Sequence, residues 1–444
     1  MDSRRIAIFV LGALLALAAF FSPVEVAPQA KMVFAITVLA VVYWFSEVLP
    51  LHVTGLLVSF LLVLFGGFSP GQIFPNYFDP VVVLLLGGFM LAFALEKFEL
   101  DELIALRVLK HVGHSPSRIV LAFMAITAFL SFWVSNTAAA AVMIPIALFI
   151  LRKNKLATKD SSFAKGFLLC VAYAATIGGL GTLVGSTPNP LAQRYIQDLG
   201  QSFEFLDWSY YGLPFVVVFL LVIWFVVLRI FKPEISGLKI DSKEIRMDRS
   251  KWLVLAIFIA TVFLWVTGSL TGLSSSVVAL VPILLLYFTR LVEENDFSKI
   301  NWPILSLIGS GIALGFAFHG SGFDLFIASL VEGLITGLPL LLVIFIVVVV
   351  SVLLTMLASN TASAAIMIPL VIPLAPVIGI RPEILIVIVA IGVSLDFTAP
   401  MGTPPNAIAF STGFLSVKEM AKVGLLLSLL ASILVALLAT FIWV

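Results

Sequence analysis

Residues 135–148 read SNTAAAAVMIPIAL, and residues 359–373 read SNTASAAIMIPLVIP. Both stretches begin with Ser-Asn-Thr, continue through small residues and reach Met-Ile-Pro at the same spacing. A hydroxyl residue precedes each motif by four positions, Ser131 in the first and Thr355 in the second. A polar motif repeated inside apolar surroundings indicates that the chain is built from two related halves.

Two further pairs of segments recur in the same order. GSTPNPLA begins at Gly185, and GTPPNAIA begins at Gly402. Upstream, LLGGFMLAFALEKFELDELIA from Leu85 loosely matches LIGSGIALGFAFHGSGFDLFIA from Leu307. Because three elements recur in one order, chance similarity is excluded and the chain contains an internal repeat.

The composition places this repeat in a membrane. Of the 444 residues, 61% are hydrophobic and 11% are charged, whereas a soluble chain has about 25% charged residues. Too little polar surface remains to cover a globule in water, so lipid is the expected solvent. The net charge of +1 gives no support for a nucleic-acid partner. The single cysteine excludes disulfides within the chain, and the four histidines do not cluster as metal ligands would.

Eleven apolar stretches approach the length of about 20 residues that a membrane-spanning helix needs. They lie at about 6–21, 30–46, 51–67, 80–96, 166–197, 210–229, 252–268, 275–289, 303–319, 383–413 and 420–443. The first lacks a small-residue cleavage site and is interpreted as a retained helix rather than a signal peptide. Two more regions, about 118–151 and 338–378, are too long for one helix and carry Ser-Asn-Thr near the middle.

The basic residues decide how the two long regions are placed. Cytoplasmic loops are enriched in Lys and Arg. If both regions enter and leave the membrane from one side as re-entrant hairpins, every Lys and Arg except Lys31, Arg194 and Arg381 falls on one side. If the first region crossed once, the basic segments 97–118 and 152–165 would face opposite sides. The re-entrant interpretation is therefore favoured, with the N-terminus cytoplasmic and the C-terminus extracytoplasmic.

These placements predict an all-α polytopic membrane protein made of two inverted-topology repeats. The first repeat covers residues 1–230, the second covers 252–444, and the hydrophilic segment 231–251 is the expected cytoplasmic linker. Each repeat holds one re-entrant hairpin and one helix, about 166–197 or 383–413, that a Gly-x-x-Pro block breaks near the membrane midplane. Many secondary transporters have this architecture, with their binding sites at the midplane.

The polar residues at the tips and breaks suit small ions. Irregular backbone at membrane depth must be buried or line a cavity, and proline frees a carbonyl that a helix would otherwise use. Free carbonyls and Ser, Thr and Asn oxygens are ligands for a small hard cation. The helix starts at Asn136-Thr137 and Asn360-Thr361 offer N–H groups to an anion. Because neither pair of motifs contains a basic residue, a divalent anion would need co-bound cations.

Helix packing is the alternative explanation for these residues. Small and hydroxyl side chains allow close helix contacts in bilayers, and packing is the preferred interpretation of the alanine runs 138–141 and 362–365. Packing alone does not require asparagine at both tips or proline in both breaks. The duplicated motifs are therefore interpreted as a binding site.

The two Ser-Asn-Thr motifs, each followed by Met-Ile-Pro, and GTPPNAI at 402–408 closely resemble the divalent anion–sodium symporters that carry dicarboxylates. The resemblance covers essentially the whole chain. It implies an eleven-helix homodimer in the plasma (inner) membrane, in which a mobile transport domain moves against a scaffold domain as an elevator. It also implies a C4 dicarboxylate as substrate, Na+ as the co-transported ion and no cofactor.

The resemblance also implies ligands, position by position. One sodium site maps onto Ser131, Ser135, Asn136 and the break at Gly185. The other sodium site maps onto Thr355, Ala358, Asn360 and the break at Gly402. The substrate carboxylates would meet Asn136, Thr137, Asn360, Thr361, Thr403 and Pro404.

Two features depart from the family's pattern. The first break reads Gly-Ser-Thr-Pro-Asn instead of Gly-Thr-Pro-Pro, which leaves the register of Ser186 and Thr187 open. Asp396 places an acid inside an apolar span where a small neutral residue is expected. Intramembrane carboxylates are costly and mark functional sites, so Asp396 is a candidate coupling acid. A carboxylate that pairs with a neighbouring helix is the alternative.

Three kinds of function fit these observations to different degrees. Sodium-coupled import of succinate, malate or fumarate is favoured. A sodium-independent dicarboxylate exchanger, or a carrier of sulfate, citrate or another oxyanion, would use the same fold. An enzyme would need an acid–base pair, a nucleophile–histidine set or a metal cluster, and the spans contain none of these. A channel would give no reason for two opposed hairpins.

Overall fold

A computed structural model describes residues 3–109, 113–235, 237–238 and 247–444. Within these ranges the chain is helical and contains no strand, which confirms the predicted fold class. Much of the predicted linker lies outside the described residues.

The helices of the first repeat precede the linker. They are α1 Ser3–Phe20, α2 Pro28–Ser46, α3 Leu51–Leu64, α4 Pro70–Ile73, α5 Pro80–Lys97, α6 Leu100–Leu109, α7 Pro116–Ser131, α8 Asn136–Lys153, α9 Ser162–Gly178, α10 Pro188–Asp198 and α11 Phe205–Ile230. A short 3-10 helix at Gly179–Gly181 extends α9.

The helices of the second repeat follow the linker. They are α12 Arg249–Val266, α13 Gly268–Thr271, α14 Ser275–Val278, α15 Leu280–Phe288, α16 Trp302–Ser321, α17 Phe323–Ile335, α18 Leu340–Leu357, α19 Asn360–Val371, α20 Ala375–Ile378, α21 Pro382–Gly392, α22 Pro404–Ser411 and α23 Val417–Leu438.

The helices have the length and apolarity of a multi-pass membrane protein. Ten helical stretches in the described part of the chain are long and apolar enough to cross a bilayer, and five shorter apolar helices accompany them. The longest apolar helix, α11, exposes Val217, Leu221 and Phe225, which suits a lipid-facing surface.

The two Ser-Asn-Thr motifs interrupt the two long apolar regions as the sequence predicts. Helix α7 ends at Ser131 and α8 begins at Asn136, while α18 ends at Leu357 and α19 begins at Asn360. The serine of each motif caps the helix that follows, because its side-chain oxygen accepts an unpaired N–H of the first turn. Each long region is therefore a pair of helices joined at a short tip.

The two Gly-x-x-Pro blocks likewise interrupt two helices. Helix α9 and its 3-10 extension stop before Thr182, and α10 starts at Pro188. Helix α21 ends at Gly392, and α22 starts only at Pro404. Proline fits the first turn of each second half, where its missing N–H costs no hydrogen bond. The gap at 182–187 is the first break, and the gap at 393–403 is the second break.

The first halves of the broken helices form the centre of the protein. Helix α9 is buried except at Ser162 and Lys165, and every residue of α21 after Pro382 is buried. Since irregular backbone in a membrane must be shielded from lipid, this central position allows the breaks to exist.

The second half of each broken helix packs against helices of the other repeat. Helix α10, from the first repeat, packs against α19 and α21 of the second. Helix α22, from the second repeat, packs against α8 and α9 of the first. Each pair of helices that forms a tip therefore contacts the broken helices of both repeats.

One carboxylate outside the spanning helices is unexpectedly buried. Asp101 lies near the start of α6 and is only 4% exposed. Burial raises the pKa of Asp101 from 3.8 to about 6, and the carboxylates of Glu96 and Glu102 raise it by smaller amounts. The charged form is therefore disfavoured in the folded protein.

Replacing Asp101 with asparagine is expected to raise the thermal midpoint at pH 7.5 and to leave it unchanged at pH 3. Between about pH 4 and 6 the folded protein keeps a proton that the unfolded chain has released, so stability falls as pH rises. Asparagine does not titrate and avoids this loss. Thermal unfolding followed by tryptophan fluorescence at both pH values tests the prediction, and equal pH dependence of the two proteins would contradict it.

Candidate ion and substrate site

The first tip places its asparagine next to the hydroxyl that precedes the motif. Ser131 Oγ lies 2.7 Å from the side-chain amide of Asn136 and donates a hydrogen bond to the Ala175 carbonyl at 2.6 Å. The inward-facing atom of the Asn136 amide also lies 3.3 Å from the Gly185 carbonyl oxygen: a nitrogen there donates to this carbonyl, and an oxygen there completes a cluster of oxygens. The tip is thus joined to helix α9 and to the first break.

The second tip repeats this arrangement. Thr355 Oγ1 donates to Asn360 Oδ1 at 2.7 Å, across the same five-residue separation as in the first tip. Ser359 accepts the Ala362 N–H at 3.2 Å, just as Ser135 accepts the Ala138 N–H at 3.1 Å. Two tips of equivalent sequence therefore form equivalent contacts.

Backbone oxygens line the first break. A Cβ placed on Gly185 would lie 2.6 Å from the Gly179 carbonyl oxygen and 2.7 Å from the Ser131 carbonyl oxygen. A Cβ on Gly179 would overlap Asn136 Oδ1 and lie 2.9 Å from the Gly185 oxygen. Glycine is required at both positions because the tip and the break approach each other through their backbones. The oxygens gathered here have the chemistry that a small hard cation requires.

The second break has the same internal register as the first. Asn189 and Asn406 each lie four residues after the glycine of their break, and both are fully buried. Asn189 Nδ2 donates to the Thr182 carbonyl at 2.7 Å, and Asn406 Nδ2 donates to the Ala399 carbonyl at 3.1 Å. Both acceptors lie three residues before the glycine. The breaks are therefore equivalent, and Ser186 aligns with Thr403.

Several buried oxygens at the breaks have no hydrogen-bond partner. Among the described residues, Asn189 Oδ1, Asn406 Oδ1 and Asp396 Oδ2 are unsatisfied. An unpaired buried polar atom costs about 1–3 kcal/mol. These atoms therefore favour ligands that donate hydrogen bonds or carry positive charge.

Hydroxyl pairs join each break to the other repeat. Thr187, at the first break, shares a hydrogen bond with Thr361 of the second tip. Thr403, at the second break, lies 3.5 Å from the Thr176 hydroxyl on α9 and accepts the Asn406 N–H at 3.4 Å. The two tips and the two breaks thus form one polar region between the repeats.

The predicted site residues differ in how directly they join this region. Ser131, Asn136 and Gly185 lie together at the first tip and break. Thr355 contacts Asn360 at the second tip. Thr361 and Thr403 each contact a threonine of the opposite repeat. The hydroxyls of the two motif serines cap their own helices. Thr137 and Pro404 are exposed, and Ala358 is half-buried.

Arg194, the basic residue that follows the first break most closely in the sequence, is paired with carboxylates. Arg194 Nε donates to Asp79 at 2.6 Å, and its guanidinium also contacts Asp198. These residues lie beside a cavity of about 370 Å³ that reaches Pro369 of the second tip's helix pair and His319 of α16. Because two carboxylates already neutralise Arg194, it does not provide a free cation for a substrate.

The whole chain matches one protein family. The family model described as the sodium:sulfate symporter transmembrane region matches residues 3–444. The chain belongs to the sodium:sulfate symporter family. The family resemblance predicted from the motifs is thereby confirmed, and the chain is a transporter rather than an enzyme.

Curated relatives in the sodium:sulfate symporter family match over nearly their full length. The sodium-dependent dicarboxylate transporter SdcS of Staphylococcus saprophyticus is 32% identical over 471 residues, which cover 98% of this chain and 89% of the relative. SdcS of Staphylococcus aureus strain MRSA252 is 32% identical over 469 residues, covering 98% and 90%. The two repeats described above therefore account for nearly all of these relatives.

A solved structure shares the fold of this sodium:sulfate symporter family member. The YdaH transporter of Alcanivorax borkumensis superposes with a TM-score of 0.59 at 15% identity, covering 99% of this chain and 97% of that chain. At this identity the match concerns the fold alone. The family's site chemistry must therefore be argued from the residues of this chain.

Sequence reasoning missed four residues that the geometry brings into the site: Thr176, Gly179, Asn189 and Asn406. The two asparagines were detectable, because each follows its break glycine by four positions. Thr176 and Gly179 carried no such signal, since their roles depend on what packs against α9.

Proposed function

We propose that this chain imports C4 dicarboxylates such as succinate together with sodium across the plasma membrane. The observation that carries the proposal is a duplicated arrangement of oxygens at the tips and breaks, with no Lys or Arg in either tip or either break. Such a site attracts a dianion only when cations bind beside it. The two SdcS relatives support this assignment, since their name specifies both sodium and a dicarboxylate.

The proposed sodium ligands come from each tip and its break. The first site uses Ser131, Asn136 and Gly185, with Ser135 as the fourth residue of the family's set. The second site uses Thr355, Asn360 and Gly402, with Ala358 as the fourth residue. The substrate carboxylates lie between the sites and meet Asn136, Thr137, Asn360, Thr361, Thr403 and Pro404.

Alternating access is proposed to occur by an elevator motion in a homodimer, with the N-terminus cytoplasmic and the C-terminus outside. The tips and broken helices form the transport domain, and α16 belongs to the scaffold that also makes the dimer contact. The contact between them supports sliding because α16 presents glycines there instead of interlocking side chains. A Cβ on Gly311 would lie 2.6 Å from the Ala365 Cβ, and a Cβ on Gly315 would overlap the Tyr195 hydroxyl. Native mass spectrometry tests the dimer.

Uptake of labelled succinate into proteoliposomes is expected to require an inward sodium gradient. A site without a basic residue cannot hold a dianion alone, so replacing external sodium with choline or potassium should reduce uptake at least tenfold. Empty liposomes provide the background. Equal uptake in sodium and choline buffers would contradict sodium coupling, and counterflow without sodium would assign an exchanger instead.

Sulfate is the second candidate substrate, because the matching family model is described by sodium and sulfate. The same dianionic charge would be neutralised by the same cations. Competition separates the two candidates. Unlabelled succinate, malate and fumarate are expected to suppress labelled succinate uptake at concentrations where sulfate and citrate do not, and stronger suppression by sulfate would favour the inorganic ion.

A further inference from the structure

Asp396 is a buried carboxylate that the proposed sodium and substrate ligands do not yet include. It is completely buried in the second break, between α21 and α22. Asp396 Oδ1 accepts the Thr398 N–H at 2.9 Å and the Thr398 hydroxyl at 2.7 Å. Asp396 Oδ2 has no hydrogen-bond partner. One oxygen of the carboxylate is therefore fixed in place and the other is left unsatisfied.

The unsatisfied oxygen points at the glycine of the second break. A Cβ placed on Gly402 would overlap Asp396 Oδ2 and lie 2.7 Å from Asp396 Cγ. Gly402 is the residue whose backbone is proposed to bind the second sodium ion. The carboxylate thus occupies the space directly beside that position.

The internal repeat independently shows where a side chain at this position projects. Asp396 lies six residues before Gly402, and Gly179 lies six residues before Gly185. A side chain on Gly179 would overlap Asn136 Oδ1 and approach the Gly185 carbonyl oxygen. In the first repeat this direction leads into the proposed sodium site. In both repeats the residue six positions before the break glycine therefore contacts that glycine, although Gly179 lies in a 3-10 helix and Asp396 lies in the break itself.

Charge gives the third argument. Burying a carboxylate without an oppositely charged partner costs several kcal/mol in a membrane protein. Among the described residues, no Lys or Arg forms an ion pair with Asp396. A bound cation beside Gly402 would supply the missing positive charge.

We propose that Asp396 contributes an anionic oxygen to the second sodium site, so that the two cation sites are unequal. The first site is built from neutral oxygens only, whereas the second carries a fixed negative charge. Because ligand charge tunes cation affinity, the second site is expected to fill at a lower sodium concentration. This inference rests on the proposed sodium coupling.

Sodium-dependent thermal stability of the purified, substrate-free protein tests the inference. Choline chloride keeps the ionic strength constant during the titration. Asp396→Asn is nearly isosteric, and Asp396→Gly reproduces the residue found at the equivalent position of the first repeat. Both variants are expected to need about tenfold more sodium for the same stabilisation. Asp101→Asn, which removes a buried carboxylate outside the spans, is the matched control and should keep the wild-type sodium dependence.

The outcomes separate this inference from the proposed function. If sodium stabilises the wild type and the two Asp396 variants show the same sodium dependence, the role proposed for Asp396 is wrong and sodium coupling stands. If sodium stabilises neither the wild type nor the variants more than choline does, the proposed coupling fails as well. A tenfold or greater increase in the sodium concentration needed for stabilisation of both Asp396 variants supports the inference, provided that Asp101→Asn needs the same sodium concentration as the wild type.

Discussion

Replacing Asn136 or Asn360 with alanine is expected to lower sodium-coupled uptake by at least about thirtyfold while the protein still folds. Each change removes a proposed ligand together with its contact to the Ser131 or Thr355 hydroxyl. The loss of a buried hydrogen bond of this kind costs about 2 kcal/mol, or roughly thirtyfold in affinity. Initial rates of succinate uptake over a range of sodium concentrations provide the measurement.

Asn295→Ala is the matched control for the two tip variants. Asn295 is exposed in the segment before α16, away from both tips, so its replacement should leave uptake unchanged. Gel filtration of the detergent-solubilised variants confirms folding. Wild-type uptake by either tip variant would refute the assignment of that tip to the site.

Replacing Gly185 with alanine is expected to reduce uptake by at least tenfold. The added Cβ would approach two backbone oxygens, those of Gly179 and Ser131, to 2.6 and 2.7 Å. Backbone atoms cannot rotate away as a flexible side chain can, so the tip and the break must separate. Overpacking of this kind costs about 1–3 kcal/mol, and here the displaced atoms are proposed sodium ligands. The variant should therefore require more sodium for half-maximal uptake.

Gly333→Ala controls for the general effect of a glycine replacement. A Cβ on Gly333 would meet no atom within 4 Å, and this residue is exposed on α17. Its uptake and sodium requirement should match the wild type. If Gly185→Ala also behaves like the wild type, the close approach of tip and break has no role in transport.

The interruptions of the helices were predictable from sequence because they depend on local chemistry. The Ser-Asn-Thr serines cap new helices, and proline starts the second half of each broken helix. The recurrence of a hydroxyl four positions before each motif was also visible in the sequence, whereas the grouping of Ser131 and Thr355 with the asparagines came from the family resemblance. These relations involve residues close together in the chain, where the sequence spacing itself carries the information.

Contacts between the repeats were not predictable in the same way. The hydrogen bond between Thr187 and Thr361 depends on α10 packing against the second repeat, and no spacing in the chain encodes that partnership. The burial of Asp101 likewise has no signal in the sequence, because it is set by the tertiary packing around α6. The register of Ser186, left open by its unusual motif, became clear only through the backbone partners of Asn189 and Asn406.

The packing of these second halves against the other repeat has a consequence for how the protein is made. During synthesis, α10 emerges with Asn189, Gln193 and Arg194, yet two of the helices it packs against, α19 and α21, begin only at Asn360 and Pro382. Helix α22, which completes the surroundings of α8 and α9, is among the last to leave the ribosome. Since chains assemble from the N-terminus, the second ion site cannot form, and the first lacks its packing against α22, until the C-terminal region has been inserted. We therefore expect a chain that stops before residue 404 to leave α8 and α9 without the helix that covers them.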